Sequence, residues 1–103
     1  MSKYVVRFGR LAANDLQASY DWGVENWGRE RADDWTYQLE ELILKRLYQF
    51  PLSCPFAPEA RDFEFEIRHL VFYRYRVLFN VIDNEVYVLR VRGPFSERNF
   101  ELE

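Results

Sequence analysis

From Glu66 to Val81 the chain reads EIRHLVFYRYRVLFNV, and after a short gap it continues VYVLRVRG from Val86 to Gly93. Arginines and aromatics alternate here with branched apolar residues. A period of two is what half-buried antiparallel strands need, because successive side chains point to opposite faces. The same alternation sets a row of guanidinium groups on one sheet face. No nucleophile, metal cage or phosphate loop accompanies them. Such a surface is better equipped to grip a macromolecule than to transform a small molecule.

The rest of the chain predicts a helical layer for this sheet. Lys3 to Phe8 (KYVVRF) reads as a short strand. Arg10 to Trp27 reads as a helix with Leu16, Tyr20, Val24 and Trp27 at spacings of three and four. Gly23 inside it costs about 1 kcal/mol relative to alanine. Gly28 breaks the chain, and a longer helix follows from Arg29 to Phe50 on the stripe Ala32, Trp35, Leu39, Leu42, Ile43, Leu47 and Phe50. Pro51 ends it, since the residue before a proline avoids the helical region. Two helices with so short a joint form an antiparallel hairpin. Leu52 to Arg61 is a proline-punctuated loop. Strands are expected at Phe63–Leu70, Arg74–Ile82 and Glu85–Arg92, with turns at Val71–Tyr73 and Asp83–Asn84. The predicted fold is therefore a two-layer α+β domain spanning residues 1–103: an N-terminal strand, a helical hairpin, then a three-stranded antiparallel meander.

Register decides what the sheet presents. A two-residue turn at Asp83–Asn84 pairs Val81 with Val86 and Phe79 with Val88. Tyr75, Val77, Phe79, Val81, Val86 and Val88 then form one apolar face for the helices. Arg74, Arg76, Asn80 and Tyr87 point the other way. A three-residue turn would instead bring Arg74 and Arg76 alongside Arg90 and Arg92. The two-residue turn gives the cleaner core.

Composition narrows the function. With 103 residues, 49% of them hydrophobic, the chain can bury one core. There is no run of about twenty apolar residues to span a membrane, and MSKYVVRF lacks the apolar centre of a signal peptide. The single cysteine, Cys54, forbids an internal disulfide, so a reducing cytoplasm is expected. Net charge is −3. The helical half carries 4 basic and 8 acidic residues, against 7 arginines and 6 acids from Arg61 to Arg98. A protein living on phosphate contacts would be more cationic. The helical acids Asp15, Asp21, Glu25, Asp33 and Asp34 read as a solvated face. Trp22 lies off its helix stripe, and an exposed tryptophan would mark a partner surface. His69, the only histidine, has no serine, cysteine or second histidine beside it, which favours structural duty over acid–base work. Cys54 reads as a loop-packing thiol. Arg90 and Arg92 read as anchors for the strand edge or for carboxylates of the tail. No spacing suits a metal or a nucleotide, so no cofactor is expected.

Taken in order, the pieces AANDLQASYDWGVENWG (Ala12–Gly28), SCPFAPEARDF (Ser53–Phe63), EIRHL (Glu66–Leu70), YRVLF (Tyr75–Phe79) and VYVLRVRG (Val86–Gly93) resemble the RelE/ParE family, the toxins of type II toxin–antitoxin pairs that include plasmid stabilisation proteins. The resemblance implies a helical hairpin on a largely antiparallel sheet, and a cytoplasmic partner, the cognate antitoxin encoded nearby, in a hetero-oligomer. RelE-like members resemble ribosome-dependent ribonucleases that cut messenger RNA; ParE-like members look like inhibitors of DNA gyrase without that nuclease site. Aligning YRVLF places the RelE-like catalytic arginine at Arg76. The positions where such enzymes carry lysines fall at Glu64 and Glu66, and the terminal tyrosine falls near Phe100. Two glutamates beside a scissile phosphate would repel it, and they could pair with Arg68, Arg74 or Arg76 across neighbouring strands. The resemblance thus leans to the ParE-like branch, a protein that acts by binding. Arg68, Arg74, Arg76, Arg92, Tyr73 and Phe95 are then the expected contact residues for target or antitoxin. The alternatives are a nuclease with Arg76 on the phosphate and Glu64 or Glu66 as base, or an inactive member kept as a binding module. The resemblance also puts toxicity partly in the C-terminal stretch Gly93–Glu103.

Overall fold

The computed structural model describes residues 3–62 and 64–94. Strand β1 (Val5–Phe8) leads into helices α1 (Arg10–Trp27) and α2 (Arg29–Gln49). Short 3-10 turns at Pro51–Ser53 and Pro58–Asp62 then connect to β2 (Arg68–Phe72), β3 (Tyr75–Ile82) and β4 (Glu85–Arg92). The strands form one mixed sheet in the order β1-β4-β3-β2, with β1 parallel to β4 and the other pairs antiparallel. The expected meander is therefore present, and the N-terminal strand completes it as a fourth member along the β4 edge.

Glycine sets the tight joints. Gly28 has φ +90° and donates its N–H to the Val24 carbonyl, ending α1 in a backbone conformation that side chains resist. Gly23 lies where the helices meet: a Cβ there would stand 3.2 Å from the Ala32 Cβ. The buried residues of α1 are Ala12, Asp15, Ser19 and Gly23, at helical spacing. This corrects the expected stripe, which sits one position round. Leu16, Tyr20, Val24 and Trp27 are only half-buried and flank the contact. Small residues win the central line because they let α1 approach β4 and α2 closely. On α2 the expectation holds for Ala32, Leu39, Ile43 and Leu47, with Trp35 and Leu42 at the margin. Phe50, however, is 60% exposed.

Val81 pairs with Val86 and Phe79 with Val88, as the two-residue turn requires. Tyr75, Val77, Phe79, Val86 and Val88 are buried against Leu39, Ile43 and Leu47. The register then shifts at a bulge: Phe79 opposes Val88, but Leu78 opposes Arg90, leaving Leu89 as the extra residue of β4. The bulge puts Val91 into the core and Arg76 opposite Arg92. The two-residue turn and the arginine juxtaposition, alternatives by turn chemistry alone, thus coexist.

The second strand departs from expectation. It begins at Arg68, and Glu64, Phe65 and Glu66 are exposed and outside any strand; Phe63 lies outside the described residues. Val71 and Phe72 belong to β2, and the turn is Tyr73–Arg74. The segment ahead of β2 has other work. Ala57 and Ile67 pack on Leu78 as a small second core on the face away from the helices. The face expected to lie open is therefore partly covered.

Candidate functional site

Two arrangements hold side chains singled out by sequence, and a third lies along a sheet edge. The first joins the layers. Asp15 of α1 accepts hydrogen bonds from Arg90 Nε at 2.8 Å and Nη2 at 2.9 Å, and from the Val91 backbone N–H at 2.8 Å. Both side chains are 12% exposed. The carboxylate takes the Val91 backbone N–H two residues past the bulge. Asp15 is thus no part of a solvated face, and Arg90 anchors to the helix layer; the tail beyond Pro94 lies outside the described residues. Nearby, the Tyr75 hydroxyl meets Ser19 Oγ at 3.0 Å and accepts the Trp35 indole N–H at 3.2 Å.

The second arrangement gathers Arg76, Glu59 and His69. Arg76 donates Nη1 and Nη2 to the two Glu59 oxygens at 2.9 and 2.8 Å, and Nε to His69 Nδ1 at 3.2 Å. A guanidinium can only donate, so Nδ1 accepts and the imidazole proton sits on Nε2. The Arg76 guanidinium holds the Glu59 carboxyl below its usual range. Burial, then the charge of Arg76, pushes His69 below the ordinary imidazole value. Glu64 and Glu66, expected beside Arg76, stand exposed elsewhere. Their place is taken by Glu59, which the 3-10 turn after Pro58 delivers to the sheet. No strand periodicity marks Glu59; the one cue is an acid directly after a proline that starts a turn. Arg68 also turns back onto the protein: its Nη1 donates to the Cys54 carbonyl at 2.6 Å, and its guanidinium lies 4.3 Å from the Phe56 ring centre. Cys54 is buried, and burial raises its thiol, which suits packing rather than reactivity. Trp22 is half-buried with its ring edge-on to Trp27 at 5.2 Å.

Of the expected contact residues, then, Arg68 and Arg76 are engaged within the fold. Tyr73 and Arg74 stand exposed at the β2–β3 turn. Burial, then the neighbouring charge of Arg90, lowers Arg92. Phe95 and Phe100 lie outside the described residues.

The third arrangement was not legible in the sequence. Strand β1 is an edge of the sheet, and an apolar groove runs beside it under the helices. Val6, Phe8, Leu16, Tyr20 and Leu44 line one stretch, and Tyr4, Val6, Leu44 and Tyr48 line the next. Leu44 and Tyr48 are each 39% exposed, and the Lys3 ammonium lies 5.7 Å from the Tyr48 ring centre. Among those residues no group of histidine, cysteine or carboxylates is placed to hold a metal, and no helix is long and apolar enough to cross a membrane.

A four-stranded sheet under two helices, with Arg68, Arg76 and Arg90 bonded within the fold and an apolar groove along one strand edge, defines a small α+β protein. Residues 6–93 match the family model for the ParE toxin of type II toxin–antitoxin systems, and the chain belongs to that family. A chain of the chromosomal ParDE system of Pseudomonas aeruginosa is similar at 26% identity and a TM-score of 0.72, over 87% of this chain and 95% of that one. A chain of the RelBE2 toxin–antitoxin complex of Mycobacterium tuberculosis shares the fold at 22% identity and a TM-score of 0.60, over 89% of this chain and 99% of that one. No curated protein sequence matches the chain at a significant level.

Proposed function

We propose that this ParE-family toxin acts in the cytoplasm by binding, that DNA gyrase is its target, and that an antitoxin encoded nearby silences it by lying in the groove beside β1. The groove carries the antitoxin half of this reading. An amphipathic helix or an added strand satisfies such a site, the first through apolar anchors and the second through the unpaired backbone of an edge strand. Both solved relatives come from toxin–antitoxin systems, which supports a partner of this kind. Leu44→Arg places a charge where both stretches of the groove meet. It is expected to weaken binding of the adjoining reading frame's product at least about tenfold in calorimetry. Unchanged affinity would remove the groove from the reading.

Engagement of Arg76 within the fold supports action by binding. Three of its five N–H donors are taken by Glu59 and His69, so less of the guanidinium is left for a phosphate. A nuclease reading draws on the same cluster, since a carboxylate, an imidazole and a guanidinium are what attack by a 2′-hydroxyl uses. The purified chain separates the two. Inhibited gyrase supercoiling, with intact message on translating ribosomes, is the expected result. Cleaved message would overturn it, and Glu59, His69 and Arg76 would become the catalytic candidates in place of Glu64 and Glu66.

A further inference from the structure

The β2–β3 turn lies at the side of the sheet opposite β1, away from the groove. Tyr73 is 84% exposed, more than any other large hydrophobic side chain among the described residues. Its φ is 51°, in the left-handed region that glycine or asparagine occupies with less strain. A bulky aromatic at such a position points to selection for the ring rather than for the turn. The ring is also braced. It meets Trp35 and Phe72 edge-on, each at 6.4 Å, and Phe72 lies flat on buried Tyr75 at 5.9 Å. Tyr73 is thus the wet outer end of an aromatic stack rooted in the core.

Charge narrows the partner. Exposed Arg74 sits beside the ring, while Arg76 and Arg90 are neutralised by Glu59 and Asp15. A polyanion is held by many cations, whereas this chain carries a net charge of −3. A preorganised aromatic with an adjacent arginine is instead the composition of a protein–protein hot spot. We infer that Tyr73 and Arg74, backed by Trp35 and Phe72, form the surface that engages the target: a protein with an apolar socket for the phenol ring and a carboxylate at its rim. The inference rests on the reading above that the chain acts by binding.

The test induces the full chain without antitoxin, counts viable cells, and melts the purified variants. Asparagine holds the left-handed backbone, so Tyr73→Asn is expected to keep the parent's melting temperature while its killing falls about thirtyfold. Arg74→Glu should lose as much, and Arg74→Lys less. A Tyr73→Asn chain that kills like the parent overturns the inference. So does one that melts far lower, because the ring would then serve the fold. A short single-stranded RNA that binds the parent and is released by Tyr73→Asn would also overturn it, in favour of nucleic acid. Killing by cleaved message overturns the reading beneath it instead.

Discussion

Each of the two central strands sends an arginine to a carboxylate outside the sheet, but the two pairs live in different surroundings. Asp15–Arg90 joins α1 to the β4 bulge with both side chains 12% exposed. Glu59–Arg76 ties the loop ahead of β2 to β3 with its members 22% and 32% exposed. Asp15 accepts three hydrogen bonds, one of them from backbone. Glu59 accepts two from a guanidinium it shares with His69. The first pair therefore fixes how the layers sit on one another. The second latches a covering segment over a sheet that is already formed.

The largest expected effect comes from breaking the layer joint. Asp15→Ala leaves Arg90 buried without its partner, at a cost of about 3–5 kcal/mol, measured by denaturant unfolding. The double change Asp15→Leu with Arg90→Met sharpens the point. Replacing a buried pair by apolar groups is often neutral, yet here the Val91 N–H would still be orphaned. The double variant should therefore remain about 1–3 kcal/mol below the parent. Full recovery would mean that the bulge does not depend on the carboxylate.

Glu59→Gln should cost less, about 1–2 kcal/mol, because water already screens part of this pair and glutamine keeps one acceptor. The effect should also be local. Amide exchange is expected to quicken in the segment from Ala57 to Ile67, while the amides of α1 keep their protection. Quickening spread evenly over the chain would erase the distinction between joint and latch.

How far these pairs could be read beforehand follows from their physics. The β3–β4 hairpin was legible because the Asp83–Asn84 turn and the apolar alternation agree on one register. Helix ends were legible at Gly28 and Pro51, where backbone chemistry is local. Asp15 was not, because small residues, Ala12, Ser19 and Gly23, and not an apolar stripe, mark the close contact. The bulge at Leu89 leaves no mark in composition, and it sets Arg76 opposite Arg92. The alternation of Phe63, Phe65 and Ile67 looked like a strand, yet only Ile67 is buried among the described members of that set. Tertiary packing against Leu78 overrode the local pattern. The groove beside β1 needs two helices and a strand edge together, so no single segment announces it.

Acid should loosen the latch, by the smallest of these effects. Burial and Arg76 hold the folded imidazole of His69 below its ordinary value of 6.5. Between the folded and ordinary values the unfolded chain binds more protons, so stability falls as pH drops through that window. Glu59 adds a second loss further down. Its folded carboxyl lies below the ordinary 4.5, so its contribution is present above that value and disappears as pH falls through the folded one. The urea midpoint should therefore be flat above about pH 7 and decline in a first step below the ordinary imidazole value. His69→Gln has no proton to gain there and should remove that first step, leaving the carboxylate step in place. A first step that survives His69→Gln would assign it to another group and detach His69 from the latch. Since a protonated His69 would repel Arg76 while attracting Glu59, faster exchange at Ala57–Ile67 should accompany the first step.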